Sequence, residues 1–143
     1  MHHVAIMKKS WGLLPKILDG EKVIESRWYK NRTLAWDKVQ KGDTIFFKNS
    51  GEPVTVRASV SRVLQFSDLT PKKVKEILQE YGQKDGIAQA DLPHYAQMFK
   101  DKRYCLLIFL SGVKAIKPFD VTKKGFGAMA SWLTVKNIDS IKI

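Results

Sequence analysis

Cysteine is nearly missing from this chain of 143 residues. Cys105 stands alone, so no intrachain disulfide can brace the fold, and a reducing compartment suits it. Histidine is scarce too: His2 and His3 are neighbours and His94 is isolated, which leaves no zinc-ligand spacing, and no metal is expected. Long hydrophobic runs are absent. Tyr104 to Leu110 is far too short to cross a bilayer and the N-terminus has no apolar signal region, so no membrane association is expected, and the protein reads as soluble and cytoplasmic. There is no serine in a nucleophile-elbow sequence, no glycine-rich dinucleotide fingerprint and no P-loop spacing. Triad-hydrolase and Rossmann readings therefore fall away, and no cofactor is expected.

Acidic residues are also in short supply. Lys plus Arg number 25 against 14 Asp plus Glu, a formal net charge of +11. The excess sits at the two ends of the chain: ten basic against five acidic in residues 1–50, seven against six in 51–100, and eight against three in 101–143. Where barrel strands bring the two ends together, their charges add into one basic surface that attracts polyanions. The plainer reading is a solubilising coat of lysines. The length fits one domain, residues 1–143, able to bury about two-thirds of its unfolded surface.

Most of what the chain does contain reads as strand. Val4 to Met7 is a first short strand. Ser10 is expected to cap a helix with Leu13, Leu14, Ile17 and Leu18 on one face, ended by Gly20. Around Leu34 to Val39 a helical turn is expected, followed by the Lys41-Gly42-Asp43 turn and a strand over Thr44 to Lys48. Val54, Val56, Ala58 and Val60 alternate with Thr55, Arg57, Ser59 and Ser61, a half-buried strand whose phase breaks at Arg62-Val63, the mark of a bulge. Thr70-Pro71 opens a helix with Val74, Ile77, Leu78 and Tyr81 as its buried stripe. Residues 82–90 read as a mobile loop and Asp91 as the cap of another helix, through Tyr95 and Met98 to about Phe99. Tyr104 to Leu110 is expected to be a central strand with Cys105 packed inside it. A weaker strand covers Lys114 to Pro118, and Ser131 to Val135 and Ile138 to Ile143 close the sheet. Trp11 and Trp132 are assigned to the core.

One stretch fits none of these plain roles: Gly20-Glu21-Lys22-Val23-Ile24-Glu25-Ser26-Arg27, continued by Trp28-Tyr29-Lys30-Asn31-Arg32. On a period of two, Val23, Glu25, Arg27 and Tyr29 share one side, and Lys22, Ile24, Ser26 and Trp28 the other. If Ile24 and Trp28 face a core, Glu25 and Arg27 stand together on the open face, with Lys22 at the mouth. The group either binds a ligand, Arg27 forking onto a phosphate or base edge, or is an ion pair fixing the fold. Trp28, Tyr29 and Trp36 lie among Arg27, Lys30, Arg32 and Lys38, the mixture that single-stranded RNA sites use, with core packing as the alternative. The loop Lys123-Lys124-Gly125-Phe126-Gly127 either approaches a phosphate or is a turn between strands.

Gly20, Lys22, Glu25 and Arg27 also match Gly-x-Lys-x-x-Glu-x-Arg, and on that motif, with a strand and helix before it and a Lys-Gly-Asp turn after it, the chain resembles the ASCH domain family, relatives of the PUA RNA-binding domain. The resemblance runs from His3 to about Ile138 and is least familiar over 82–103. It implies a mainly β, α+β fold: a PUA-like small β-barrel flanked by two or three helices, with a cleft lined by the motif. It also implies a module that binds RNA, single-stranded or structured, or a modified nucleotide. The ligand-binding candidates are Lys22, Glu25, Arg27, Trp28, Lys30, Arg32, Lys123 and Lys124. The alternative is an enzyme, a ribonuclease or an amidohydrolase acting on N4-acylated cytidine, with Lys22 as nucleophile or base and Glu25 or Asp91 as proton carrier. Hydrolysing members look as though they carry a hydroxyl residue where this chain has Glu25. Protein partners are a third possibility that the family's link to transcription coactivators keeps open.

Overall fold

The computed structural model describes residues 1–32 and 35–143. Six strands form one curled sheet: β1 (His2–Met7), β2 (Ile24–Tyr29), β3 (Thr44–Asn49), β4 (Val54–Phe66), β5 (Tyr104–Phe119) and β6 (Trp132–Val135), in the order β2-β5-β4-β3-β1-β6. Among the described residues only β1 and β3 run parallel. Three helices flank it, α1 (Leu13–Leu18), α2 (Pro71–Tyr81) and α3 (Leu92–Phe99). The result is a half-barrel, mainly β in an α+β fold, with β2 and β6 as its two free edges. No helix is long and apolar enough to cross a membrane among the described residues.

The alternation in β4 acts as expected. Val54, Val56, Ala58 and Val60 are all buried, and the ladder to β5 slips between Val60 and Arg62. After the slip Val63 packs into the barrel core, while Leu64 and Phe66 turn outward against the helices. One long strand thus serves two cores, because an inserted residue flips the side-chain phase. The inner core holds Ala5, Phe47, Val56, Leu106, Ile108 and Trp132; the outer one holds Ile24, Cys105 and Leu107 beneath Val74, Ile77 and Leu78 of α2. Thr70 caps α2, its hydroxyl accepting from the Lys73 amide at 3.2 Å. Burial pushes the Cys105 thiol far up from its usual value, as a packed cysteine requires.

Several expectations give way. Ser10 caps nothing: Lys9–Trp11 is a 3-10 turn, Gly12 follows at φ +63°, and α1 begins only after it. A left-handed residue interrupts the helix, so Trp11 is left outside at 49% exposure instead of entering the core. Lys114 to Pro118 is not a separate strand but the far half of β5. Ile138 to Ile143 does not close the sheet; Asn137 caps a 3-10 turn over Ile138–Ser140, and a lone bridge joins Val121 to Lys142. Asp91 heads α3 without a capping hydrogen bond. The helical turn expected from Leu34 begins outside the described residues; its remainder, Ala35 to Lys38, is a turn.

A buried polar chain ties the parallel pair together. Trp132 donates from its indole nitrogen to His3 Nδ1 at 3.2 Å, so Nδ1 is an acceptor and Nε2 carries the proton donated to Asp43 Oδ2 at 2.7 Å. Burial lowers the His3 pKa, with Asp43 opposing. Burial alone would raise Asp43, but hydrogen bonds from His3, the Gln40 amide and the N-terminal amine bring it below its usual value. Both groups therefore contribute stability that is present above their unfolded values, 6.5 and 3.8, and is lost as pH falls through the folded ones. Unfolding free energy measured against pH is expected to fall on acidification below about pH 6.5. His3→Asn should flatten the upper part of that fall and leave the lower, carboxylate part. An unchanged profile in His3→Asn would contradict the assignment.

Candidate functional site

The segment before β2 is clamped by backbone on both sides. The Lys22 amide donates to Lys16 O at 2.9 Å at the end of α1, and the Val23 and Ile24 amides both donate to Lys84 O, at 2.7 and 3.0 Å. Lys22 is consequently turned inward. It is 2% exposed and buried, not placed at the mouth of a cleft. Its ammonium donates to the Asp85 carbonyl at 2.9 Å and to Asp85 Oδ1, and lies 3.6 Å from Glu25 Oε1. The other Asp85 oxygen accepts from Ser26 Oγ at 2.6 Å, and Ser26 Oγ accepts from the Trp28 indole at 3.2 Å. Burial pushes the Asp85 carboxyl up from the ordinary carboxylate range, more than Lys22 and Ser26 pull it down.

Residues 82–90 are therefore not a free loop. Their carbonyls anchor the start of β2, and Asp85 is buried within the motif. Gly86 makes this possible: φ is +82°, and a Cβ there would stand 3.1 Å from Lys22 Cβ. Gly86→Ala is expected to cost about 1–2 kcal/mol from the left-handed backbone alone. It should also push Lys22 off Asp85. Thermal unfolding of the variant checks this, and an unchanged midpoint would show that the turn tolerates a side chain.

Glu25 and Arg27 do pair across one face of β2, Nη2 to Oε2 at 3.6 Å. Arg27 also spans the seam between the two free edges, reaching Ser131 O at 3.4 Å and Met7 Sδ at 3.4 Å, with its guanidinium 5.2 Å from the Trp132 ring centre. Glu25 is 3% exposed, and its Oε2 has no hydrogen-bond partner among the described residues; the buried Tyr29 hydroxyl also lacks one. Burial raises the Tyr29 pKa, with Arg27 opposing. Orphaned buried polar atoms are uncommon in folded proteins, and at a cavity wall they mark places where a ligand or water completes the bonding.

Such a cavity is there, about 380 Å³, open at one side and running over the β2 edge. Lys22, Glu25, Ser26 and Asp85 form its polar wall. Aromatic rings form much of the rest. Trp28 stacks on Phe99 with centroids 4.6 Å apart and planes 12° from parallel, and Tyr95 leans on Phe99 at 5.9 Å. Exposed Trp11 stands at the rim with Lys8 5.7 Å above its ring, and Lys102 lines the same space. A cavity of this size suits one small planar molecule held by stacking and a few polar contacts.

Of the residues singled out in the sequence, Lys22, Glu25, Arg27, Trp28 and Tyr29 come together at this cavity. Lys30 and Arg32 are exposed beyond the end of β2. Lys123 and Lys124 lie outside the cavity: Lys123 braces its own loop through Ala128 O at 2.6 Å, and the Lys124 amide donates to Thr122 Oγ1 at 3.1 Å. Asp91 is exposed and away from the cavity; the carboxylate beside Lys22 is Asp85. Local sequence does not mark Asp85, Ser26, Trp11 and Phe99 as site residues. Only the Asp85-Gly86 dipeptide hinted at a specific turn, and nothing local linked it to Lys22, 63 residues earlier.

No family model matches the sequence, and no curated protein matches it. Solved structures do resemble it. The ASCH protein from Zymomonas mobilis is 15% identical and superposes with a TM-score of 0.68, covering 97% of this chain and 90% of that one. A variant of that protein with a tyrosine replaced by phenylalanine gives 15% and 0.68, covering 97% and 93%. One with a serine replaced by alanine gives 14% and 0.67, covering 97% and 91%.

Proposed function

We propose, from the ASCH fold that this chain adopts, that it is a module binding RNA or a modified nucleotide, with one base held in the cavity beside Glu25. The observation that carries this reading is the buried Glu25 Oε2, which has Arg27 3.6 Å away but no hydrogen-bond donor among the described residues, in a cavity walled by stacked rings. Proteins that read single-stranded RNA splay a base out, stack it on aromatic rings and bond its edge. A carboxylate accepts from an exocyclic amine such as cytosine N4. Trp11 and Trp28 offer the stacking surfaces, Glu25 the acceptor, and Lys8 and Lys102 cations for the backbone. The charge of +11 supplies the attraction at a distance.

The test is binding of a short cytidine-rich single-stranded RNA across a salt series, followed by fluorescence anisotropy. The logarithm of the binding constant is expected to fall linearly with the logarithm of salt, by about 0.7 per phosphate neutralised. Absent or salt-independent binding would sink the reading.

A hydrolase acting on an acylated nucleoside amine is the second reading. It is favoured by one observation, Asp85 at the cavity wall accepting from the Lys22 ammonium on one oxygen and from the Ser26 hydroxyl on the other. Asp85, whose carboxyl burial shifts toward the protonated form, is the proton carrier in this reading, and Lys22 the nucleophile or base. Incubation with N4-acetylcytidine separates the two. Release of acetate that disappears in a folded Lys22→Ala variant supports the enzyme, and no release from the wild type removes it.

A further inference from the structure

We propose that a second nucleotide of the same RNA strand stacks on a platform made by Arg32, Trp36 and Tyr104, just beyond the Tyr29 end of the cavity. The inference rests on the nucleotide-binding reading and extends it from one base to two. The ladder between β2 and β5 sets Tyr104 directly opposite Tyr29. Opposed residues of an antiparallel pair point to the same face with their Cβ atoms about 5 Å apart. Tyr29 lines the cavity and Tyr104 does not, so the tyrosine pair marks the step from inside to outside.

On that outer side three planar groups meet. The Trp36 ring meets Tyr104 edge to face, centroids 5.2 Å apart at 69°, and the Arg32 guanidinium lies 5.5 Å from the Tyr104 centre and 6.0 Å from that of Trp36. Arg32 is exposed, both rings are half-buried, and Arg32 makes no ion pair with the described residues. The loop bearing Trp36 is fixed to β4 by a reciprocal pair, the Asp37 amide to Gln65 Oε1 at 2.8 Å and Gln65 Nε2 to Asp37 Oδ1 at 2.8 Å. The platform is thus built in advance of binding.

Cations stand at the step as well. Lys30 follows Tyr29 directly and is exposed, and Lys102, on the cavity wall, precedes the Arg103 whose amide bonds Tyr29 O at 2.9 Å. Arg103 itself is engaged structurally, with its guanidinium on Leu69 O at 3.0 Å. Bases stack on aromatic rings and on arginine planes whatever their sequence, while cations alongside track the phosphate backbone that joins them. A purely hydrophobic protein partner would not call for three cations along this line; a strand of RNA does.

The experiment compares cytidine monophosphate with a short single-stranded oligocytidine at one salt concentration, using calorimetry on wild type, Arg32→Ala, Arg32→Lys and Trp36→Leu. The wild type is expected to bind the oligonucleotide more tightly than the mononucleotide. Arg32→Ala and Trp36→Leu should each weaken the oligonucleotide by about tenfold or more while leaving the mononucleotide unchanged. Arg32→Lys should restore little, because it keeps the charge and loses the plane. Oligonucleotide affinity unchanged in both variants, with mononucleotide binding intact, removes the platform and leaves the cavity reading standing. Equal loss for both probes shows that these residues act on the fold and overturns the inference, as does full rescue by lysine. A wild type that binds neither probe overturns the platform and the cavity together.

Discussion

Asp85→Ala is expected to lower the unfolding free energy by about 3–5 kcal/mol, the usual cost of removing one partner from a buried ion pair. Denaturation in urea would measure it. The substitution leaves Lys22, 2% exposed, with Glu25 at 3.6 Å as its remaining carboxylate. It also takes away the acceptor that holds Ser26, and through Ser26 the Trp28 indole. For a domain of this size the loss corresponds to a fall of about 10 °C or more in Tm. Burial raises the Asp85 carboxyl, with Lys22 and Ser26 opposing. Breaking a buried pair leaves one charge uncompensated, so the matched replacement of Lys22 and Asp85 by apolar residues should cost far less than Asp85→Ala alone. A loss below about 1 kcal/mol in Asp85→Ala would show that the turn at 82–86 holds itself.

Glu25→Gln is expected to do the opposite. Both Glu25 ion pairs are 3.6 Å long, past hydrogen-bond length, and Lys22 keeps Asp85 while Arg27 keeps Ser131 O and the Trp132 ring. The change in stability should therefore stay under about 1 kcal/mol. On the proposed reading, nucleotide affinity should fall by about tenfold to a hundredfold, because the carboxylate oxygen without a hydrogen-bond donor among the described residues, offered to a base amine in that reading, becomes part of a neutral amide. Mononucleotide calorimetry beside thermal unfolding checks both halves. Equal losses in Asp85→Ala and Glu25→Gln would mean that the whole cluster is structural and that Oε2 awaits no ligand.

The contrast between these two carboxylates also marks what local sequence conveys. Glu25 was placed beside Arg27 by the period of two, and their pairing on one strand face follows from pleat geometry. The cap and stripe of α2 and the bulge in β4 were legible for the same reason, since they depend on residues within a few positions of one another. Lys22 departs from its expected place at the mouth, since a lysine normally keeps its head in water. Only the clamp between Lys16 O and Lys84 O forces it inward. The size of Trp11 predicts a core position, and the left-handed Gly12 leaves it at the cavity rim instead.

The amino-acid sequence by itself determined a mainly β domain of strongly positive charge, with a motif strand that gathers Glu25 and Arg27 beside aromatic rings. Tertiary structure alone decided that this strand is a free edge of the half-barrel, that Asp85 and Phe99 arrive from distant segments to wall a cavity over it, and that one Glu25 oxygen has no hydrogen-bond donor among the described residues. The division has a physical cause. Periodicity and capping act over a few residues, whereas a cavity is what remains when segments far apart in sequence pack without quite closing, and no local pattern records where that gap falls.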